Sequence, residues 1–230
     1  MVRPKRRSSI LAGAMLSTGL LLAACSSNPL RTATGAEQSP AAPVHVSEYH
    51  RLLSEAQRLS FTLNFDQLRR AYAQSTEYNP YGGVRLEGLP EAYKAVEDGD
   101  YDACLNYVDQ VLSGNFMSLE AHMIGVVCSG RAADLQREDR HRYMVDGLMG
   151  SIEASGDGRS ENSAYRTITT SELRGFVRLK GLQVLDRSIV YDQYGIYDKM
   201  QVRDPESGEE YALFFDVTEQ LAYSTGDVQR

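Results

Sequence analysis

The chain has 230 residues, 24 of them basic and 31 acidic, for a formal net charge of −7. Apolar residues make up 42 %, with 19 Gly and 7 Pro, which excludes a collagen-like or wholly disordered chain. The acidic balance excludes a general nucleic-acid binder.

Arg3, Lys5, Arg6 and Arg7 form a basic start, and the mostly apolar stretch Ile10 to Ala24 follows. That stretch is shorter than the about 20 apolar residues a membrane span takes, and it fits the apolar region of an export signal. Leu22-Ala23-Ala24-Cys25 resembles the bacterial lipobox, in which small residues enter the signal-peptidase groove and the Cys thiol receives a diacylglyceryl group. Residues 1–24 therefore read as a lipoprotein signal peptide and Cys25 as the lipidation site. Ser26 stands where Asp would signal inner-membrane retention. The expected place is the outer membrane, on its periplasmic side. Loss of residues 1–24 removes four basic side chains and no acidic one, so anionic lipid repels the remaining body and the acyl chains must do the anchoring.

Residues 25–46, rich in Ala, Thr, Pro and Ser, read as a flexible tether, and 47–217 as a single α+β domain. Leu52, Leu53, Ala56 and Leu59 share a helical face, as do Phe65, Leu68 and Tyr72. Tyr78-Asn79-Pro80-Tyr81-Gly82-Gly83 breaks the helical run. A short helix follows Pro90 and closes at Asp98-Gly99-Asp100. Tyr101, Leu105, Val108 and Leu112 mark the next helix, ending at Gly114-Asn115; Leu119, Met123, Val126 and Val127 mark another, ending at Gly130. A longer polar helix is expected from Asp134 to about Glu153. Beyond the Ser155 to Ser160 loop, Tyr165 to Thr170 is β-prone, and Thr169 with Glu172 has the spacing of a capping box for a short helix ending at Gly181. Three strands are expected over Leu182 to Tyr191, Ile196 to Arg203 and Glu209 to Val217. Tyr211, Leu213, Phe215 and Val217 alternate, so one face is apolar, and Asp204-Pro205-Glu206-Ser207-Gly208 is a hairpin turn. Residues 218–230 read as a frayed polar tail. The expected architecture packs N-terminal helices with a C-terminal antiparallel β-meander.

Gly99-Asp100-Tyr101 is followed by Cys104 five positions after the Gly, Val111 at twelve and Phe116 at seventeen. This spacing resembles half of a tetratricopeptide repeat, where small side chains let two helices approach closely. A plain helical hairpin explains the same residues, and a single degenerate unit does not make an array. Cys104 and Cys128 would sit on consecutive helices of this hairpin in an oxidising compartment. They form either a disulfide, contributing about 3 kcal/mol, or two buried thiols acting as small apolar residues.

A wider resemblance runs from Phe65 to Val217. Its carrying residues are Phe65-Asp66-Gln67-Leu68-Arg69 with Tyr72, Tyr78-Asn79-Pro80-Tyr81, the Gly99-Asp100-Tyr101 hairpin, Ser155-Gly156-Asp157-Gly158-Arg159-Ser160 leading to Ala164-Tyr165, and Phe214-Phe215-Asp216-Val217. Together they resemble the bacterial family described as domain of unknown function DUF4919. The resemblance implies secreted or lipid-anchored envelope proteins with helices first and strands last, and it carries over no catalytic residue.

The Ser155, Gly156, Asp157, Gly158, Arg159, Ser160 loop is the leading candidate for a ligand site. Two glycines let a ligand approach the backbone, and the loop offers an acid, a cation and a hydroxyl. It is neither an EF-hand, since Ala164 stands where the Glu belongs, nor a phosphate loop, since no Gly-Lys-Ser/Thr occurs. The competing reading is a turn in which Asp157 caps backbone amides. Tyr78 and Tyr81 are candidate aromatic contacts for a ligand, or pins of a loop on the core. His45, His50, His122 and His141 stand at no metal spacing, so no metal and no cofactor are expected. The preferred reading is a lipid-anchored binding or scaffolding module with an envelope protein partner. The alternative is an envelope enzyme of hydrolase type using the Asp157 loop with Ser160 or Tyr165. If Asp157, Arg159 and Tyr78 line one pocket, the enzyme gains; if Asp157 caps amides, it loses.

Overall fold

A computed structural model describes residues 47–82 and 88–225. Cys25, the leader and the tether lie outside these residues. Six helices begin at a short polar side chain that satisfies an otherwise orphaned amide. Ser47 caps α1 (Glu48–Gln57) and Asn64 caps α2 (Phe65–Ala73). After α3 (Gly88–Asp98), Gly99 turns the chain at φ +73°, and Asp100 caps α4 (Tyr101–Gly114). Ser118 caps α5 (Leu119–Arg131), Asp134 caps α6 (Leu135–Glu153) and Thr169 caps α7 (Thr170–Leu179). The cap bonds, side-chain oxygen to the third helical amide, span 2.9–3.3 Å.

The four-stranded sheet is built from β1 (Tyr165–Arg166), β2 (Gln183–Tyr191), β3 (Ile196–Arg203) and β4 (Glu210–Asp216), in the order β1-β4-β3-β2. The fold is α+β, helices first and strands last. β2, β3 and β4 form the expected antiparallel meander, with Arg187 opposite Met200 and Met200 opposite Leu213. The short β1 departs from that expectation: it runs parallel to β4, with Tyr165 opposite Phe215. The crossover through α7, β2 and β3 makes this possible, because a chain returning to the same edge by a long connection is free to run parallel.

Met200, Val202, Leu213, Phe215 and Val217 turn one sheet face toward Leu68, Tyr72, Met144, Leu148 and Phe176 of the helices, forming the main core. A second cluster lies among α3, α4 and α5, where Ala92, Cys104, Val108, Ala121 and Cys128 are fully buried.

Two expectations are corrected. The α5 stripe is corrected at Val127, which is exposed; Leu119 is buried, Met123 and Val126 pack partly buried on the core, and Ala121, Ile124, Gly125 and Cys128 complete the buried side. Helices crowd α5 from several sides, and small residues form the contacts: the His141 ring lies flat on Gly125, where a Cβ would come within 2.6 Å. Residues 218–225 are no frayed tail but helix α8 (Thr218–Thr225). Leu221 and Tyr223 pack on the core, and the buried Gln220 amide donates to Thr167 O at 2.8 Å and Thr167 Oγ1 at 2.9 Å.

Candidate functional site

The Ser155–Ser160 loop is held from within. Asp157 N and Gly158 N both donate to Ser163 O, at 3.0 and 2.7 Å. Asp157 Oδ1 accepts from Arg159 N at 2.9 Å. The bond from the Ser163 side chain, followed by the one from the Arg159 amide, holds the Asp157 carboxyl below its ordinary value. Arg159 lies over the Tyr211 ring, 4.3 Å from its centroid. Ser160 and Ser163 share a hydroxyl bond of 2.9 Å, and Ser155 Oγ donates to Ile152 O while accepting from Arg166 N. Gly158 adopts φ +69°, and a Cβ there would strike the Tyr165 ring at 2.5 Å. Its carbonyl accepts from Phe214 N at 2.8 Å. The loop thus extends β1 in covering the free edge of β4. Asp157 caps a turn, and every polar member of the loop is engaged in holding that cover in place.

Beside the loop is a cleft of about 270 Å³, where Asp157, Arg159, Tyr165, Lys180, Asp204 and Tyr211 meet. Tyr78 is not among its lining residues. It is buried between Tyr72 and Tyr223, and its hydroxyl donates to Ile168 O at 2.7 Å; burial raises its pKa. Tyr81 donates to Gln220 O at 2.8 Å, and Pro80 O accepts from Thr170 N at 2.9 Å. The Tyr78–Tyr81 segment is a clasp joining the start of α7 to α8. The structure brings Asp157 and Arg159 together and keeps the tyrosine pair apart from them. Cys104 and Cys128 are joined by a disulfide between α4 and α5, with Cα atoms 6.3 Å apart.

Three features were not singled out as candidate sites from the sequence. Arg69 and Glu172 form a buried ion pair, Nε to Oε1 at 2.8 Å and Nη2 to Oε2 at 2.8 Å. Arg69 also donates to Ser151 Oγ and Arg166 O, and Glu172 Oε2 accepts from Ile168 N. Burial opposes the Arg69 charge, but Glu172 outweighs it and the pKa rises. The available signals were a basic residue flanked by Leu68 and Tyr72 on an apolar face, and the capping-box glutamate. Second, His122 and His141 meet in the interior. The third feature is β2.

β2 is an edge strand nine residues long, and nothing among the described residues pairs with its outer side. The Ile196 backbone turns toward β4 and α8, bonding Val217 N and Thr218 Oγ1. Its partner Tyr191 therefore points its own amide and carbonyl outward, and by alternation so do Ile189 and Arg187. The β2–β3 hairpin exposes Val184, Leu185 and Ile189, with Tyr191 at 71 % and Tyr194 at 74 %. A groove of about 520 Å³ runs between β2 and α7, and Arg174, Arg178 and Arg187 line it. Arg187 is fastened to the buried Asp198 and Arg174 to Glu120, and Arg178 lies over the Tyr93 ring.

The family model of the domain of unknown function DUF4919 matches residues 44–225, most of the chain. No curated protein and no solved structure gives a significant match.

Proposed function

We propose, for a chain that belongs to the DUF4919 family, a binding role in the bacterial cell envelope: a module anchored through lipid on Cys25 to the outer membrane, facing the periplasm, that takes an extended segment of an envelope protein as a further strand on β2. The observation that carries the binding role is the open edge of β2. Its outward amides and carbonyls offer a ladder, the exposed apolar side chains offer contact area, and Arg178, whose charge no carboxylate among the described residues neutralises, favours a strand bearing a carboxylate. The Cys104–Cys128 disulfide supports an oxidising compartment, and the lipobox resemblance supports the anchor.

The test is in-cell photocrosslinking of the full-length lipoprotein from position 191. A defined envelope adduct is expected. It should disappear with Ile189→Pro, which removes an outward amide while leaving the β3 ladder intact, and persist with Asp157→Ala. A well-expressed protein that gives no adduct, or an adduct indifferent to Ile189→Pro, overturns the β2 reading. The anchor is tested separately: globomycin should accumulate precursor and Cys25→Ala should abolish lipidation, and normal processing in both would remove it.

A further inference from the structure

The outer side of β2 is not a regular ladder along its whole length. Its pairing with β3 slips between Val184 and Asp186, where Leu185 is the extra residue of a bulge. Outward amides therefore repeat in register from Tyr191 through Ile189 to Arg187, and the register is lost at Leu185. A visiting strand is held at one end of β2 and released at the other.

The groove between β2 and α7 lies at the releasing end. Val177 of α7, Leu182 and Val184 before the bulge, and Met200 of β3 line it. Arg174 and Arg178 stand one turn apart on its α7 side and Arg187 on its β2 side, and no carboxylate is among its lining residues. Arg174 and Arg187 are each held by a buried carboxylate, Glu120 and Asp198. Arg178 is exposed, lies over the Tyr93 ring at 4.5 Å, and has no acidic partner among the described residues. Directly opposed residues share a face of a sheet. Arg187 is opposite Met200, which lines the groove, so a visiting residue opposite Arg187 turns its side chain toward the groove as well.

Charge then selects the direction of the visitor. A segment running parallel to β2 would bring its amino end to the bulge, placing an ammonium among three guanidiniums. An antiparallel segment brings its carboxyl end there, and a free terminal carboxylate finds in Arg178 a cation with no competing acid. A strand that continues past the bulge gains no further ladder in register.

Resting on the β2 reading above, we infer that the visiting segment is the free C-terminus of its protein. It runs antiparallel to β2, its last residue is apolar and opposes Arg187 with its side chain against Val177, Leu182 and Met200, and its terminal carboxylate meets Arg178.

The experiment is fluorescence anisotropy of the full-length lipoprotein in nanodiscs with a labelled hexapeptide of alternating threonine and valine that ends in leucine, as free acid and as C-terminal amide. The acid should bind about tenfold more tightly than the amide, as one charge-assisted contact does, and Arg178→Gln should bring the acid to the level of the amide. Equal binding of acid and amide, binding of neither, or a preference for the acid that survives Arg178→Gln overturns the inference. The photocrosslink from position 191 separates its failure from that of the β2 reading. One-to-one pairing places the adduct about four residues before the C-terminus of the partner. An adduct that is lost with Ile189→Pro but maps to the interior of the partner keeps the edge and overturns the terminus.

Discussion

Replacing Arg69 with Met tests the most heavily bonded polar contact of the fold. The Arg69 side chain is 1 % exposed and that of Glu172 is fully buried. The guanidinium ties α2 to α7 through Glu172, to α6 through Ser151 and to β1 through the Arg166 carbonyl. Met fills a similar volume, so the perturbation is mainly electrostatic. It strands the Glu172 carboxylate with Ile168 N as its remaining tertiary donor. Breaking a buried pair from one side costs about 3–5 kcal/mol, because an uncompensated charge stays inside. The double variant Arg69→Met/Glu172→Met removes that charge and leaves only orphaned hydrogen-bonding groups, so its cost should fall short of the sum of the singles by about 2 kcal/mol or more. Urea unfolding of the wild type, both singles and the double completes the cycle; a lower midpoint at constant slope reports stability alone. A loss below about 1 kcal/mol for Arg69→Met, or additive singles, would refute the keystone role.

Acid should destabilise the fold through the histidine pair. Burial and the adjacent imidazole lower His122 to about 3, and burial with the nearby arginines lowers His141 to about 4, both from 6.5. The unfolded chain then binds protons that the native state refuses, so stability is full above pH 6.5 and declines as pH falls toward 4, by about 2 kcal/mol per histidine between pH 7 and pH 5. His141→Phe should flatten that slope relative to wild type in paired denaturations; an unchanged slope contradicts the assignment. Alkylation without reductant, followed by mass spectrometry, should leave Cys104 and Cys128 unmodified, and Cys104→Ala/Cys128→Ala should cost about 3 kcal/mol for the 24-residue separation; full labelling of the denatured native protein would remove the bond. In the edge-covering loop, Gly158→Ala should lose more stability than Asp157→Ala, since it combines a left-handed backbone with a clash against Tyr165 while the exposed Asp157 carboxyl contributes two bonds within the turn, from Arg159 N and the Ser163 side chain. The reverse order in thermal melts would put the loop's importance in its acid.

Helix starts were legible because their signals are local. Asp100 and Thr169 sit beside the amides they cap, and Gly99 and Gly181 mark the ends by conformations costly to other residues. The meander was legible from alternation, and the Ile196–Arg203 boundaries coincide with β3. What escaped reading depends on partners distant in the chain. Thr218, Glu219 and Gln220 look like a solvated tail until Thr167 is folded against Gln220, and α5 hides its contact face because Ala121 and Gly125 contribute little apolar surface of their own. Arg69 reads as a surface charge, and 103 residues separate it from the carboxylate that lets it be buried. The candidate loop was found but its purpose was not: Asp157, Gly158 and Arg159 have the composition of a site and also that of a tight turn, and only the bond from Phe214 N to Gly158 O separates the two.

The two sides of the sheet are unequal. On one, the loop through Gly158 and the parallel β1 occupy the β4 border; on the other, β2 is uncovered. A molecule with a single adhesive border has a valence of one. A visiting strand that joins β2 is bound once, and two copies meeting there would seal each other off, while the loop and β1 bond the opposite border at Phe214–Asp216. Association through β2 alone ends in a discrete complex and does not propagate into a fibre. That difference separates recognition from aggregation.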